Sequence, residues 1–305
     1  MAEVKESGIL IQDVETKNIM TKSTLPVGGY SVNPYVGCTH GCKYCYASFM
    51  KRFTGHTEPW GTFLDVKHWP AIKNPQKYKG QRVVIGSVTD GYLPHEAQFQ
   101  NTRKLLEQLR GSEAEILICT KSDLVIRDID LLKKLGKVTV SWSINTLDEG
   151  FKNDMDDAAS IKRRLDAMKQ IYDAGIRTVC FIAPVFPGIT DFEAIFHQVR
   201  NQCDLIWLEN LNLRGGFKKD IMDYIRKKFP DLVPLYDAIY NKRDRSYFRV
   251  LEDQAERLAK ENSCPFVDNE LPYGRAEPGH PVIVDYFYHE EVRGSENTGQ
   301  RNPKK

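Results

Sequence analysis

The chain has 305 residues, 41% of them hydrophobic and 28% charged, with a formal net charge of +2. That is the balance of a globule with a sizeable core, and its overall field is too near neutral to require nucleic acid as a partner. No apolar run approaches the length that crosses a bilayer and no apolar-centred leader is present; seven cysteines, an odd number with three crowded together, argue against a disulfide framework, so a reducing cytoplasm is the expected compartment.

Residues 1–29 carry little periodicity and read as an N-terminal extension. An apolar, β-branched run at Tyr30–Val36 gives the first strand, and it leads straight into Gly37-Cys38-Thr39-His40-Gly41-Cys42-Lys43-Tyr44-Cys45-Tyr46. Further strand-like runs follow at Arg82–Ile85, Glu115–Cys119, Val138–Ile144, Thr178–Val185 and Leu205–Leu208. Amphipathic segments separate them at Phe99–Leu109, Asp123–Leu135, Ile161–Ala174 and Asp191–Val199, with Gly111, Gly136 and Gly175 as helix stops and Asp123 and Thr190 suited to N-caps. Six strands alternating with helices predict a parallel sheet wound by right-handed crossovers. Six units fall short of the eight of a closed barrel, so the expected fold is α/β, a partial (β/α)6 barrel over residues 30–215. Beyond it, helices at Phe217–Lys228 and Tyr247–Glu261 flank Leu235–Tyr240, and a strand is expected at Val282–Tyr288. Residues 216–291 read as a helical and strand elaboration covering the barrel mouth, and 292–305 as a disordered tail.

The spacing C-x3-C-x2-C brings the thiolates of Cys38, Cys42 and Cys45 together, and three is the informative number. A structural zinc site or a fully protein-ligated cubane takes four such ligands. His40 is one candidate for a fourth; Cys119, Cys180, Cys203 and Cys264 stand isolated, and Cys119 and Cys180 lie in apolar strands where a free cysteine packs as a small core residue. Three thiolates on a four-iron cluster leave one iron open to chelate a small molecule. The cysteine loop follows the first strand at the carboxyl edge of the sheet, where ligands bind in barrels and open sheets alike. Polar runs end the later strands at the same edge: Gly86–Tyr92, Thr120-Lys121-Ser122, Ser143-Ile144-Asn145, Ala183–Gly188 and Glu209–Asn212.

With an aromatic, Tyr44, directly before its third cysteine, this motif resembles the signature of the radical SAM superfamily, whose members bind S-adenosylmethionine (SAM) at the open iron of a [4Fe-4S] cluster. The runs Tyr35–Cys38, Cys42–Tyr46, Ser87–Asp90, Thr120–Ser122 and Ser143–Asn145 are similar to the spore photoproduct lyase-like branch, as are Arg163–Ala167, Ala174–Ile176 and Ala183–Gly188. The likeness covers residues 30–215. It implies that Cys38, Cys42 and Cys45 ligate the cluster, that Tyr44 lies near the SAM adenine, and that Thr89 and Ser143 contact the cofactor. It places Lys121 at the SAM carboxylate and Tyr46 near the radical path. The residue chemistry adds Asp90 as a partner for the SAM ammonium or ribose, and Arg163 or Arg164 as rivals of Lys121 for the carboxylate. Where the lyase carries a hydrogen-donating cysteine, this chain has Ser87.

The expected activity is an enzyme that cleaves SAM reductively, with one electron from a donor such as flavodoxin or ferredoxin, to a 5′-deoxyadenosyl radical that abstracts hydrogen from a substrate. Nucleic acid or a nucleotide is one substrate class, favoured by basic clusters and by Tyr236, Tyr240, Tyr247 and Phe248. A peptide or small metabolite is a second, and a non-catalytic metal- or cluster-binding module is the reading from a different class. No membrane partner is expected.

Overall fold

The computed structural model describes residues 4–6, 8–23, 29–213, 215–267 and 282–287. In chain order the strands are β1 (Val4–Glu6), β2 (Ile9–Glu15), β3 (Thr21–Lys22), β4 (Tyr30–Val32), β5 (Tyr35–Val36), β6 (Phe63–His68), β7 (Arg82–Ile85), β8 (Glu115–Thr120), β9 (Val138–Ser143), β10 (Arg177–Val185), β11 (Leu205–Asn210), β12 (Phe266–Val267) and β13 (Ile283–Phe287). The helices are α1 (Glu96–Phe99), α2 (Asn101–Gln108), α3 (Ile129–Leu135), α4 (Glu149–Met155), α5 (Ile161–Asp173), α6 (Phe192–Val199), α7 (Phe217–Lys228), α8 (Val233–Tyr240) and α9 (Ser246–Glu261).

Strands β4, β7, β8, β9, β10, β11, β13 and β12 pair in parallel in that spatial order, and β3 caps the β4 edge antiparallel. Each crossover in the central run carries a helix, as a parallel sheet requires. Among the described residues the edge strands β3 and β12 do not pair, so the sheet is open, in agreement with the expected α/β partial barrel. Alternation fixes which face each side chain takes. Along β8, Ile116, Ile118 and Thr120 are buried on the helix-covered face, while Leu117 and Cys119 are half-exposed on the concave one. Register carries that concave face across Ser141 on β9, Val179 on β10 and Leu205 on β11. Cys180 is fully buried in the core, as expected, but Cys119 is not a core residue: its position in the β8 alternation turns it inward.

The expected N-terminal extension holds ordered strands. β2 pairs in parallel with β6 from Leu10↔Phe63 to Glu15↔His68, and β1 and β5 complete a separate four-stranded sheet. Helix starts differ from expectation in detail. Asp191, not Thr190, caps α6 by accepting from the Ala194 amide at 2.9 Å, because the Thr190 hydroxyl is taken up by the Asn145 carbonyl at 2.9 Å. Asp123 caps nothing; its carboxylate receives the Arg163 guanidinium at 2.7 and 2.8 Å. The strand expected at Val282–Tyr288 is β13, with Tyr288 outside the described residues, as are 268–281 and the tail.

Candidate cluster and cofactor site

The cysteine loop runs from β5 to a 3-10 helix at Tyr46–Phe53, and it is held on three sides. Toward the small sheet, Gly37 (φ 84°) and Gly61 (φ 102°) permit contacts a side chain would block. A Cβ at Gly37 would lie 2.3 Å from the Phe63 carbonyl oxygen, and one at Gly61 would lie 3.1 Å from the Gly41 Cα. Toward β7, the Thr89 hydroxyl donates to the Gly37 carbonyl, and His40 Nδ1 stands 3.3 Å from Asp90. Toward α4, the Lys43 amide donates to the Met155 carbonyl at 2.9 Å, and the Asp157 amide to the His40 carbonyl at 2.8 Å.

The three thiols are electrostatic neighbours of one another, yet no three His, Cys, Asp or Glu side chains among the described residues gather as ligands of one ion. Burial pushes the Cys38 thiol up to about 12, with Asp90 adding to the effect. Burial also raises Cys42 and Cys45, and Lys121 beside them opposes it. Such thiols ionise when a metal takes the proton's place. Nearby, the Trp60 indole N–H is buried without a hydrogen-bond partner among the described residues.

A charged network underlies the loop. Asp156, 4% exposed just past α4, accepts from Arg164 at 2.6 Å, the Ala158 amide at 3.1 Å and the Tyr44 hydroxyl at 3.2 Å. Burial pushes the Asp156 carboxyl up, but Arg164, Lys121 and Lys152 outweigh it and hold the group below the usual carboxylate range. Lys121 Nζ sits 5.6 Å from the centre of the Tyr44 ring. Burial alone would lower the Lys121 ammonium, but Cys42 and Asp156 hold it above its ordinary value. The Tyr44 ring meets Phe186 edge-on at 5.5 Å within an apolar cluster that includes Phe151, Met155, Ile221 and Tyr236.

Of the residues singled out in the sequence, the structure gathers Cys38, Cys42, Cys45, Tyr44 and Lys121 around one loop. Ser143 ends β9 on the concave face, in register with Phe181, and its carbonyl accepts from Arg164 at 3.1 Å. Asp90 is engaged by protein groups: its carboxylate accepts from the Thr120 hydroxyl at 2.8 Å, the Lys121 amide at 2.7 Å and the Tyr92 amide at 2.8 Å, tying the ends of β7 and β8 together. Arg163 is drawn to the surface by Asp123 and Arg164 is buried on Asp156, so Lys121 is the cation left facing the cysteines. Tyr46, 56% exposed, reaches over the mouth to donate to the Ser87 carbonyl, with Cys119 and Glu209 among its neighbours. The Ser87 hydroxyl lies 2.5 Å from that of Ser31.

Sequence reasoning missed Trp60, Asp156 and the lumen-facing Cys119. It also misjudged the aromatics beyond residue 215. Tyr236 and Phe248 are buried in the core, Tyr240 donates to the Leu211 carbonyl at 2.9 Å, and the Tyr247 hydroxyl accepts from the Gly188 amide at 2.9 Å. The basic clusters are locally paired, Lys162 with Asp166, Lys219 and Arg226 with Asp223, and Lys242 with Asp237. No described helix is long and apolar enough to cross a membrane.

The sequence profile of the Radical SAM superfamily matches residues 32–198. An uncharacterised protein of Methanocaldococcus jannaschii is 32% identical over 258 residues, 84% of this chain and 96% of the relative. A radical SAM Nα-GlyT isomerase of Pseudomonas phage M6 is 28% identical over 57% of this chain and 35% of its own length. Among solved structures, spore photoproduct lyase complexed with dinucleoside spore photoproduct has the same fold at a TM-score of 0.58 and 15% identity, covering 92% of this chain and 82% of the lyase.

Proposed function

Because this chain belongs to the radical SAM superfamily, and is therefore an enzyme of SAM-cleaving radical chemistry, we propose that Cys38, Cys42 and Cys45 hold its [4Fe-4S] cluster and that Tyr44, Thr89, Lys121 and Ser143 shape the SAM pocket. The observation that carries the reading is the convergence of three half-buried thiols and Tyr44, all of one loop, with Lys121 just past the carboxyl end of β8. When bound, the cluster supplies one electron, drawn from a flavodoxin- or ferredoxin-type donor, to the sulfonium of SAM. Lys121, kept charged beside Cys42, pairs with the SAM carboxylate, and the Tyr44 ring offers a face to the adenine. Ser141 Oγ and Asn145 Nδ2, buried at the end of β9 without partners among the described residues, supply polar contacts to the same ligand. Thr89 and Asp90 act one layer back, holding Gly37 and the Lys121 backbone in place. Tyr46 closes the mouth where the substrate meets the lumen.

We assign single-stranded nucleic acid as the substrate class. The 3-10 helix after the third cysteine exposes Phe49 (45%) and Phe53 (67%), with Arg52 set against both rings at 5.3 and 4.7 Å and no acidic residue in its first turn. Aromatic faces with an adjacent guanidinium are what hold a strand by stacking and phosphate contact. The dinucleoside bound by the lyase of the same fold agrees with this class. The test is anaerobic reconstitution with iron and sulfide analysis and Mössbauer spectroscopy, then anisotropy with a labelled single-stranded oligonucleotide. Iron uptake, SAM cleavage and salt-dependent binding, weakened by about 1–3 kcal/mol in Phe53→Ala, are expected. Tetrahedral zinc without iron uptake would sink the cluster assignment, and an oligonucleotide that does not bind would turn the substrate to a peptide or small metabolite.

A further inference from the structure

A cavity of about 270 Å³ lies between the two sheets, beside the cysteine loop, and no cysteine lines it. The connection from β2 to β3 brings Asn18 to it, β4 and the turn after it bring Ser31 and Asn33, and β6 brings Lys67, while Met50 and Trp60 form an apolar wall. Small-ligand pockets begin at roughly 300 Å³, so the space suits one compact group and not an extended chain.

The charge of the cavity is one-sided. Lys67 is half-buried; its ammonium donates to the Asn33 carbonyl at 2.9 Å and meets no carboxylate among the described residues. Asp65, one pleat along the same face of β6, is held by His56 Nε2 at 2.8 Å and Gln12 Nε2 at 2.9 Å, and no acidic residue among those described lines the cavity. Burial pulls the Lys67 ammonium below its ordinary value, and Asp65 opposes that only in part. A cation withdrawn from water without a counter-ion is costly, and an anion entering beside it removes the cost.

Two connections place the cavity in the molecule. Met50 belongs to the 3-10 helix that exposes Phe49 and Phe53 with Arg52 against them, so one helix carries a stacking face outside and a cavity wall inside. On the opposite side, the Ser31 hydroxyl lies 2.5 Å from that of Ser87, and Asn33 Nδ2 donates to the Ser87 hydroxyl at 3.2 Å. Tyr46 donates to the carbonyl of the same Ser87, so the cavity and the mouth of the lumen share one loop.

We propose that this cavity is a nucleotide pocket: one nucleotide of a bound single strand leaves the stack on Phe49 and Phe53 and enters it, with its phosphate on the Lys67 ammonium. The proposal rests on the single-strand reading above. Extracting a nucleotide from its neighbours costs least when the strand is already single. Lys67 donates and cannot accept, which matches phosphate oxygens, and the base is left to the Met50 and Trp60 wall. Gly37, next to Cys38, also lines the pocket, so the pocket sets which nucleotide comes nearest the cysteine loop.

The test is anisotropy of a labelled single-stranded oligonucleotide on reconstituted protein over a series of salt concentrations. One phosphate contact on a single strand contributes about 0.7 to the slope of log affinity against log salt. Lys67→Gln keeps a donor for the Asn33 carbonyl and should lower the slope by about 0.7, and Lys67→Arg should restore it. A neutral methylphosphonate walked along the oligonucleotide should weaken binding to the wild type at one linkage and have no further effect at that linkage in Lys67→Gln. An unchanged slope in Lys67→Gln, or equal weakening of both proteins at every linkage, overturns the pocket; if Phe53→Ala still weakens binding, the single-strand reading stands without it. Wild-type protein that binds no oligonucleotide overturns both.

Discussion

Asp156→Asn is the most informative single substitution beneath the site. The wild-type carboxylate is 4% exposed and faces Arg164, which is fully buried, at 2.6 Å, with Lys152 Nζ at 3.6 Å. Asparagine keeps an acceptor oxygen for the Ala158 amide, and its NH2 can donate to the Tyr44 oxygen where the second carboxylate oxygen accepted, so the substitution removes the charge and reverses one hydrogen bond. A buried guanidinium is left uncompensated, a loss of about 3–5 kcal/mol. Unfolding entropy of roughly 2.1 cal/mol/K per residue, taken over 305 residues, converts this to a fall in Tm of about 5–8 °C. Thermal unfolding of the cluster-free protein by circular dichroism measures it, and Arg164→Met in the Asp156→Asn background should recover much of the loss, because the orphaned charge is gone. The folded carboxyl sits below its ordinary value, so the contribution of the pair is fully present above the unfolded value of about 3.9 and is lost as pH falls through the folded one. The gap between wild type and variant should be flat near neutrality and close on acidification below about pH 4. A Tm within about 2 °C of wild type, a third of the expected effect, or strict additivity in the cycle would refute the reasoning.

Lys121→Ala should weaken SAM binding by about 1.5–3 kcal/mol in calorimetry on reconstituted protein, and unchanged affinity would remove Lys121 from the pocket. Alanine at Cys38, Cys42 or Cys45 should abolish SAM cleavage and iron retention while leaving the far-UV circular dichroism intact, since the core lies in the strands and helices; collapse of the fold would contradict that separation. The protein should not turn over a thymine dimer efficiently: Ser87 stands beside Ser31, and an alcohol O–H is too strong a bond to quench a carbon radical. Clean conversion to two thymines over many turnovers would refute this and point to Cys119, whose thiol faces the lumen with burial pushing it up to about 12.

The parallel strands were legible because each is a short β-branched run bounded by glycine or a polar cluster, and their order follows from crossover handedness. β6 was not, because Phe63-Leu64-Asp65-Val66-Lys67-His68 interleaves charges with apolar residues; Asp65 is tolerated inside only because His56 and Gln12 meet it, partners 9 and 53 positions away. α4 was invisible for a related reason: Glu149–Met155 has weak helix propensity, and the Asp148 cap, accepting from Gly150 and Phe151, starts it. In the site, the cysteines announced themselves by spacing alone. Asp156 lies 112 positions from Tyr44, so the contact between them exists only once the chain has folded. Cys119 differs again: one step of strand alternation decides whether a cysteine packs the core or faces the lumen, and an apolar run does not state its phase.

The pairing of β2 with β6 sets a lower limit on the working length of this chain. The region shared with the family begins at residue 32, yet the strand that clamps the cysteine loop through Phe63 and Gly61 has its other neighbour at Ile9–Glu15. A chain trimmed to the shared region would keep every strand of the barrel from β7 to β11 and bare one long edge of β6, with Leu64 and Val66 beside unpaired amides and carbonyls. Such an edge recruits other chains. Limited proteolysis near residue 20 should therefore promote aggregation before it unfolds the barrel, which makes β2 a support of the cysteine loop through β6.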